Sequence, residues 1–155
     1  MQTVRMSPAQ AQFTEAASRH RSELLAHCYR LLGSVHEAED LVQETYLRAW
    51  RSYGMFEGRS SLRTYLYRIA TNTCLTYLRH RSRRIMPSGL DGGPGELGWI
   101  EPVPDVLLAS GDPAATASAR AGVRLALIAA LQHLPPVRRA VLILRDVLDL
   151  PAAEV

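Results

Sequence analysis

From Pro8 onward, apolar residues recur at three- and four-residue steps: Phe13, Ala16, Ala17, Leu24, Leu25, Cys28, Leu31 and Leu32, with His20 in the same stripe. That spacing predicts one amphipathic helix, and Gly33 is placed to close it with a left-handed cap. Ser34 to Glu37 match the S-x-x-E capping box. A second helix is therefore expected over residues 35–53, with Ala38, Leu41, Val42, Thr45, Tyr46, Ala49 and Trp50 on its buried side. A glycine-flanked loop follows at 54–59. Ser60 or Ser61 can cap a third helix, which runs to about residue 84 and carries Leu62, Leu66, Ile69, Ala70, Thr73 and Leu78 between its charges. Pro87 and Gly89 end it.

The pattern then changes. Residues 86–111 are rich in glycine and proline and have no helical period, which reads as a linker. Trp99-Ile100 and Val106-Leu107-Leu108 are apolar spots able to pin parts of it to a surface. Asp112-Pro113 is a helix start for a stretch carrying Ala117, Val123, Leu127, Ile128, Ala130, Leu131 and Leu134. Pro135-Pro136 breaks that helix and begins another, whose expected apolar face is Val137, Ala140, Val141, Leu144 and Val147. Asp149-Leu150-Pro151 turns into a last helical stretch at 152–155, where a single turn is marginal. The expectation is an all-α chain: a helical unit at 8–86, a linker at 87–111 and an incomplete helical unit at 112–155.

Charge refines this picture. The chain has 155 residues, 47% of them hydrophobic, and a net charge of only +3. The distribution is uneven: Glu37, Glu39, Asp40 and Glu44 cluster on the second helix, while residues 58–90 contain no acid. Such a split predicts two different partner surfaces. The cations other than histidine are all arginine, each able to bind phosphate in a bidentate way. On the third helix, arginines alternate with Tyr65, Tyr67 and Tyr77, which suits a surface that tracks phosphates and stacks bases; a plain solvated face has the same pattern. Asp40, Gln43, Glu44 and Leu47 are spaced i, i+3, i+4, i+7 and share one face, either as solvated surface or as a docking stripe for a basic helix.

Catalytic chemistry has no candidate here. No Ser/His/Asp grouping, phosphate loop or paired-carboxylate site occurs, so no enzyme activity and no cofactor are expected. Cys28 and Cys74 fall on apolar positions as buried free thiols. His20, His27 and Cys28 lack the spacing and the fourth ligand of a zinc site, so no metal is expected and the histidines are assigned to the surface. With no apolar signal core and no bilayer-spanning run, a soluble, cytoplasmic setting without membrane contact is the expectation.

Two strings carry a family resemblance. Ala38-Glu39-Asp40-Leu41-Val42-Gln43-Glu44-Thr45-Tyr46, followed by Phe56-x-Gly58-Arg59-Ser60-Ser61-Leu62-Arg63-Thr64-Tyr65-Leu66-Tyr67-Arg68-Ile69-Ala70-Thr71-Asn72, resembles the extracytoplasmic-function sigma factors of the sigma-70 family. Leu131-x-x-Leu134-Pro135-x-x-x-Arg139-x-Val141-x-x-Leu144-Arg145 resembles the start of their second domain. The resemblance implies a sigma domain 2 that binds the clamp helices of core RNA polymerase and melts and reads the −10 element. It implies a helix-turn-helix sigma domain 4 for the −35 element, here expected to lack its recognition helix.

By the same resemblance, Asp40, Gln43, Glu44 and Leu47 would contact polymerase. Phe56 and Arg59 would sit in the loop that captures a flipped base. Arg63, Arg68, Arg79, Arg81, Arg83 and Arg84 would hold phosphates of the non-template −10 strand. Asn72 would read a base edge, and Tyr65 or Tyr77 would stack on an exposed base. Tyr65 stands where the family often has tryptophan. The stretch from Trp99 to Asp105 resembles a linker motif of sigma factors with an added C-terminal regulatory domain, so such a domain or a separate anti-sigma factor joins the expected partners. Two other readings stay open: a helical interaction module whose basic helix binds an acidic protein, and a self-sufficient DNA-binding repressor, against which the missing recognition helix counts.

Overall fold

The computed structural model describes residues 8–83, 100–101 and 121–155, without the side chains of residue 83 and of 121–123. Arg84, the helix start at Asp112-Pro113 and the rest of the linker lie outside the described residues. In chain order the elements are α1 (Pro8–Ser18), α2 (Arg21–Leu32), α3 (Val35–Ser52), a 3-10 turn (Tyr53–Met55), α4 (Leu62–Arg83), α5 (Ala121–Gln132), α6 (Pro136–Leu142) and a widened π-type turn (Ile143–Val147). Among the described residues, all regular structure is helical.

Helix α2 is the centre. Every residue from Leu24 to Leu32 is buried, because α3 and α4 flank it and α5 and α6 also pack on it. Leu24, Leu31, Leu66, Tyr67, Val42 and Ile128 meet in one core with both cysteines, which are free thiols. Each large apolar side chain buried this way contributes roughly 1.5–3 kcal/mol. One histidine departs from expectation. His27 is fully buried rather than at the surface, with Nε2 2.8 Å from Thr71 Oγ1 and its ring edge-on to Tyr67.

The single helix expected over 8–32 is broken into α1 and α2. His20 N–H donates to the Ala17 carbonyl in a tight turn at 3.0 Å, and Tyr46 Oη donates to the same carbonyl at 2.9 Å. Tyr46 thus satisfies a helix-end acceptor, while Phe13 swings onto Tyr53 with ring centroids 4.6 Å apart. The apolar stripe encodes the burial but not this bend.

At the next junction Gly33 adopts φ 75°, a left-handed value that favours glycine, and Ser34 Oγ accepts the Glu37 N–H. Only half of the expected capping box forms in side-chain terms, since Glu37 extends to α4 and takes Tyr77 and Arg81 instead. Ser61 is the cap of α4, accepting the Thr64 N–H at 3.1 Å.

In the second unit, Pro136 occupies the first turn of α6. Val137 and Val141 are exposed, against the expected apolar face, and Ala140, Ile143 and Leu144 are buried. The face is rotated because Arg139 points inward, where it is only 5% exposed. Residues 152–154 form a turn rather than a helix, and Glu154 accepts a hydrogen bond from Thr64 Oγ1 of α4 at 3.0 Å. No helix among the described residues is long and apolar enough to cross a membrane.

Candidate nucleic-acid and partner interfaces

Two neighbouring helices carry the predicted site residues, and they present them differently. On α3, Asp40 and Gln43 are exposed, Glu44 is partly exposed, and Leu47 stands 51% exposed. Glu44 pairs with Arg48 one turn on, at 2.6 Å. Helical periodicity puts these side chains on one outward face. Beside that face a groove of about 610 Å³ opens between α1 and α3, walled by Phe13, Ala17, Tyr46, Leu47 and Trp50, with Gln43 among its lining residues. Trp50, expected in the core, is 43% exposed at this groove. The missed signal was its position three residues after Leu47, which extends the stripe by one more turn.

Exposed leucine and tryptophan beside acid and amide groups form a surface that can take a basic partner helix bearing an apolar side chain. The charges would orient the partner, and the groove would supply buried area.

Helix α4 is divided between an inner and an outer side. Arg68, Asn72 and Arg79 are exposed and lie at helical spacing on one outward row. The other predicted α4 residues whose side chains are described contact groups of the protein itself. Arg63 Nε donates to Glu23 Oε2 at 2.6 Å, and its guanidinium lies over the Tyr67 ring. Tyr67 Oη donates to the same carboxylate oxygen at 3.1 Å. Tyr65 Oη is 2.6 Å from Ser52 Oγ. Tyr77 Oη donates to Glu37 at 2.8 Å, and burial together with that carboxylate pushes its phenol up. Arg81 is exposed but reaches Glu37 at 3.2 Å.

The loop after α3 is organised by rings. Phe13, Tyr53, Phe56 and Tyr65 form a continuous row with centroid spacings of 4.6, 5.8 and 4.7 Å. Phe56 is therefore partly buried as a strut, while Met55 next to it is 81% exposed. Gly58 adopts φ 67°, and Arg59 pairs with Glu57 at the surface. Arg83 ends α4, and Arg84 lies outside the described residues. The structure thus gathers Arg68, Asn72 and Arg79 on an open row and turns Arg63, Tyr65, Tyr77 and Phe56 toward internal partners. Sequence spacing did not separate the two sets, because Glu23 and Glu37, which hold Arg63 and Tyr77, come from other helices. Met55 was missed because a lone methionine in a glycine-rich loop has no periodicity to mark it.

Among the described residues, no group of three or more His, Cys, Asp or Glu side chains could hold a metal ion.

Comparison with known proteins places these faces in context. The family model for sigma-70 region 2 matches residues 16–84, and that for sigma-70 region 4 matches residues 124–155. The ECF RNA polymerase sigma factor SigG of Mycobacterium tuberculosis is 55% identical over 154 residues, covering 92% of this chain and 41% of that protein. The ECF RNA polymerase sigma factor SigE of Mycolicibacterium smegmatis is 34% identical over 155 residues, covering 95% of this chain and 52% of that protein. The ECF RNA polymerase sigma factor SigW of Bacillus subtilis is 38% identical over 69 residues, covering 44% and 37%. The chain spans about half the length, or less, of these relatives.

Proposed function

The chain belongs to the extracytoplasmic-function sigma factors of the sigma-70 family, and from that premise we propose that it directs RNA polymerase to promoters. In this reading the first unit, residues 8–86, docks on the clamp helices of core polymerase through the outward face of α3. It opens the −10 element and reads the non-template strand with α4 and the loop before it. The second unit, residues 112–155, belongs to the domain that addresses the −35 element, and residues 87–111 link the two. The protein regulates; the polymerase carries out the chemistry, in the cytoplasm. An anti-sigma factor or a C-terminal regulatory domain belongs to the same reading as the partner that restrains it.

The observation that carries the proposal is the pairing of Asp40 and Gln43, exposed on α3, with an open apolar groove on the same side. A helix face that served only as solvated surface would not need Leu47 and Trp50 uncovered beside it. On α4, the exposed row of Arg68, Asn72 and Arg79 combines phosphate-binding guanidinium groups with an amide that offers both a donor and an acceptor to a base edge. Exposed Met55 supplies an apolar contact at the loop tip.

The test is binding of core RNA polymerase by a variant carrying Asp40→Arg and Glu44→Arg. Reversing these two surface charges, one exposed and one partly exposed, should leave the fold intact and weaken binding at least a hundredfold, about 2.7 kcal/mol. Unchanged affinity would overturn the docking role.

A further inference from the structure

A second hollow lies beside the ring-supported loop, between the start of α1 and the end of α3. It encloses about 460 Å³ and is lined by Ala9, Gln10, Trp50, Arg51, Tyr53 and Gly54. That volume falls within the roughly 300–1,000 Å³ of clefts that hold small ligands. Trp50 lines this hollow and the α1–α3 groove alike, so its half-exposed indole is a wall shared by the two. No carboxylate stands among the lining residues.

The polar groups of the hollow differ from their counterparts elsewhere in the first unit. The chain has six tyrosines. Tyr29, Tyr46, Tyr65, Tyr67 and Tyr77 each set the hydroxyl against an oxygen of another residue. The Tyr53 hydroxyl has no such partner among the described residues, while its ring is fixed by Phe13 and Phe56. The nearby arginines divide in the same way. Arg48 pairs with Glu44 and Arg59 pairs with Glu57, whereas Arg51 is exposed and has no carboxylate partner among the described residues. A ring to stack on, a hydroxyl that can donate and accept, and an unneutralised guanidinium are the groups that hold a base and its phosphate. Position selects the source of that base. Gly54 of the wall leads through exposed Met55 to Phe56 in the loop.

We propose that this hollow is a second base site, which takes one further unstacked base of the single strand met by Asn72 and the Phe56 loop, with the base against Trp50 and a flanking phosphate on Arg51. The site rests on the promoter reading above and extends the strand contact from α4 to the α1–α3 end. Met55 then stands between two held bases, where an exposed apolar side chain keeps them from restacking. Stacking tolerates any base, and a hydroxyl that both donates and accepts discriminates little. The site therefore favours an unpaired base over a paired one more than one base over another.

The experiment uses the 155-residue chain carrying Trp99→Phe, which leaves Trp50 as its only tryptophan. Its fluorescence is followed as single-stranded −10 DNA is added, either intact or with one abasic site moved along the strand base by base. The intact strand should quench Trp50. One abasic position should abolish the quench and weaken binding about fivefold or more, the low end for a single stacked base. A β-carbon at Gly54 would meet nothing within 4 Å, so Gly54→Leu can fill the mouth without disturbing the fold. That variant should lose the quench and bind the intact strand and that abasic strand alike. Arg51→Ala should flatten the salt dependence by about 0.7 in log–log slope, one phosphate. DNA binding that leaves Trp50 unquenched, a quench that survives Gly54→Leu, or an equal quench by a free mononucleotide would overturn the site while the α4 reading stands. Absence of DNA binding by the Trp99→Phe chain would overturn both.

Discussion

Helices α3 and α4 lie side by side in one core, yet they treat their polar residues in opposite ways. On α3 the predicted contact residues face outward, and even the tryptophan expected inside stands at a groove. On α4 three of the predicted contact residues, Arg63, Tyr65 and Tyr77, face inward and are matched to Glu23, Ser52 and Glu37. The difference teaches that a basic, aromatic helix is not one surface. Arg63, Tyr65 and Tyr77 act as fasteners between helices, while Arg68, Asn72 and Arg79 form an exposed row. Substitutions on the inner side should cost stability, and substitutions on the outer side should cost binding.

The largest effect is expected at Glu23. Replacing it with alanine removes the acceptor of Arg63 and Tyr67 together, and leaves a largely covered guanidinium without its carboxylate. Breaking such a pair should cost about 2–4 kcal/mol in chemical denaturation. A loss under about 0.5 kcal/mol would mean that the inner side of α4 is ordinary surface.

A smaller effect concerns pH. Burial, aided by the Arg30 charge, lowers the His27 pKa from 6.5 to about 3. The unfolded chain therefore binds the extra proton, and stability rises with pH between about 3 and 6.5. From pH 6.5 down to 5 the loss should reach at most about 2 kcal/mol, at 1.36 kcal/mol per unit. Denaturation of the wild type and of His27→Gln at several pH values should show that slope only in the wild type.

The smallest stability change belongs to the outer row. Arg68→Ala with Arg79→Ala should stay within about 0.5 kcal/mol of the wild type in stability. In binding single-stranded −10 DNA, the same variant should flatten the salt dependence by about 1.4 in log–log slope, two phosphates at about 0.7 each. Asn72→Ala should reduce base preference more than total affinity.

Much of this was legible beforehand. Periodicity located α3 and α4, Gly33 and Ser34 marked the junction, and the acidic face of α3 followed from i, i+3, i+4 spacing. The break between α1 and α2 was not legible, because it is made by Tyr46 reaching a carbonyl from another helix. The burial of His27 was hidden for a similar reason, as other helices cover α2 from Leu24 to Leu32. Glu101 lies in a stretch without periodicity, so nothing local marked it as a cap for a helix that begins at Val35. Arg139 was not among the residues of the expected apolar face, and its hydrogen bonds to Leu31 and Gln132 turn it inward.

The central claim is that α3 and α4 serve two independent partners. Its most direct test measures both affinities on the same two proteins, using core RNA polymerase and single-stranded −10 DNA as separate ligands. Asp40→Arg with Glu44→Arg should lose polymerase and retain DNA binding, and Arg68→Ala with Arg79→Ala should do the reverse. Parallel loss of both ligands in either variant, or polymerase binding that survives reversal of the α3 charges, would contradict the account.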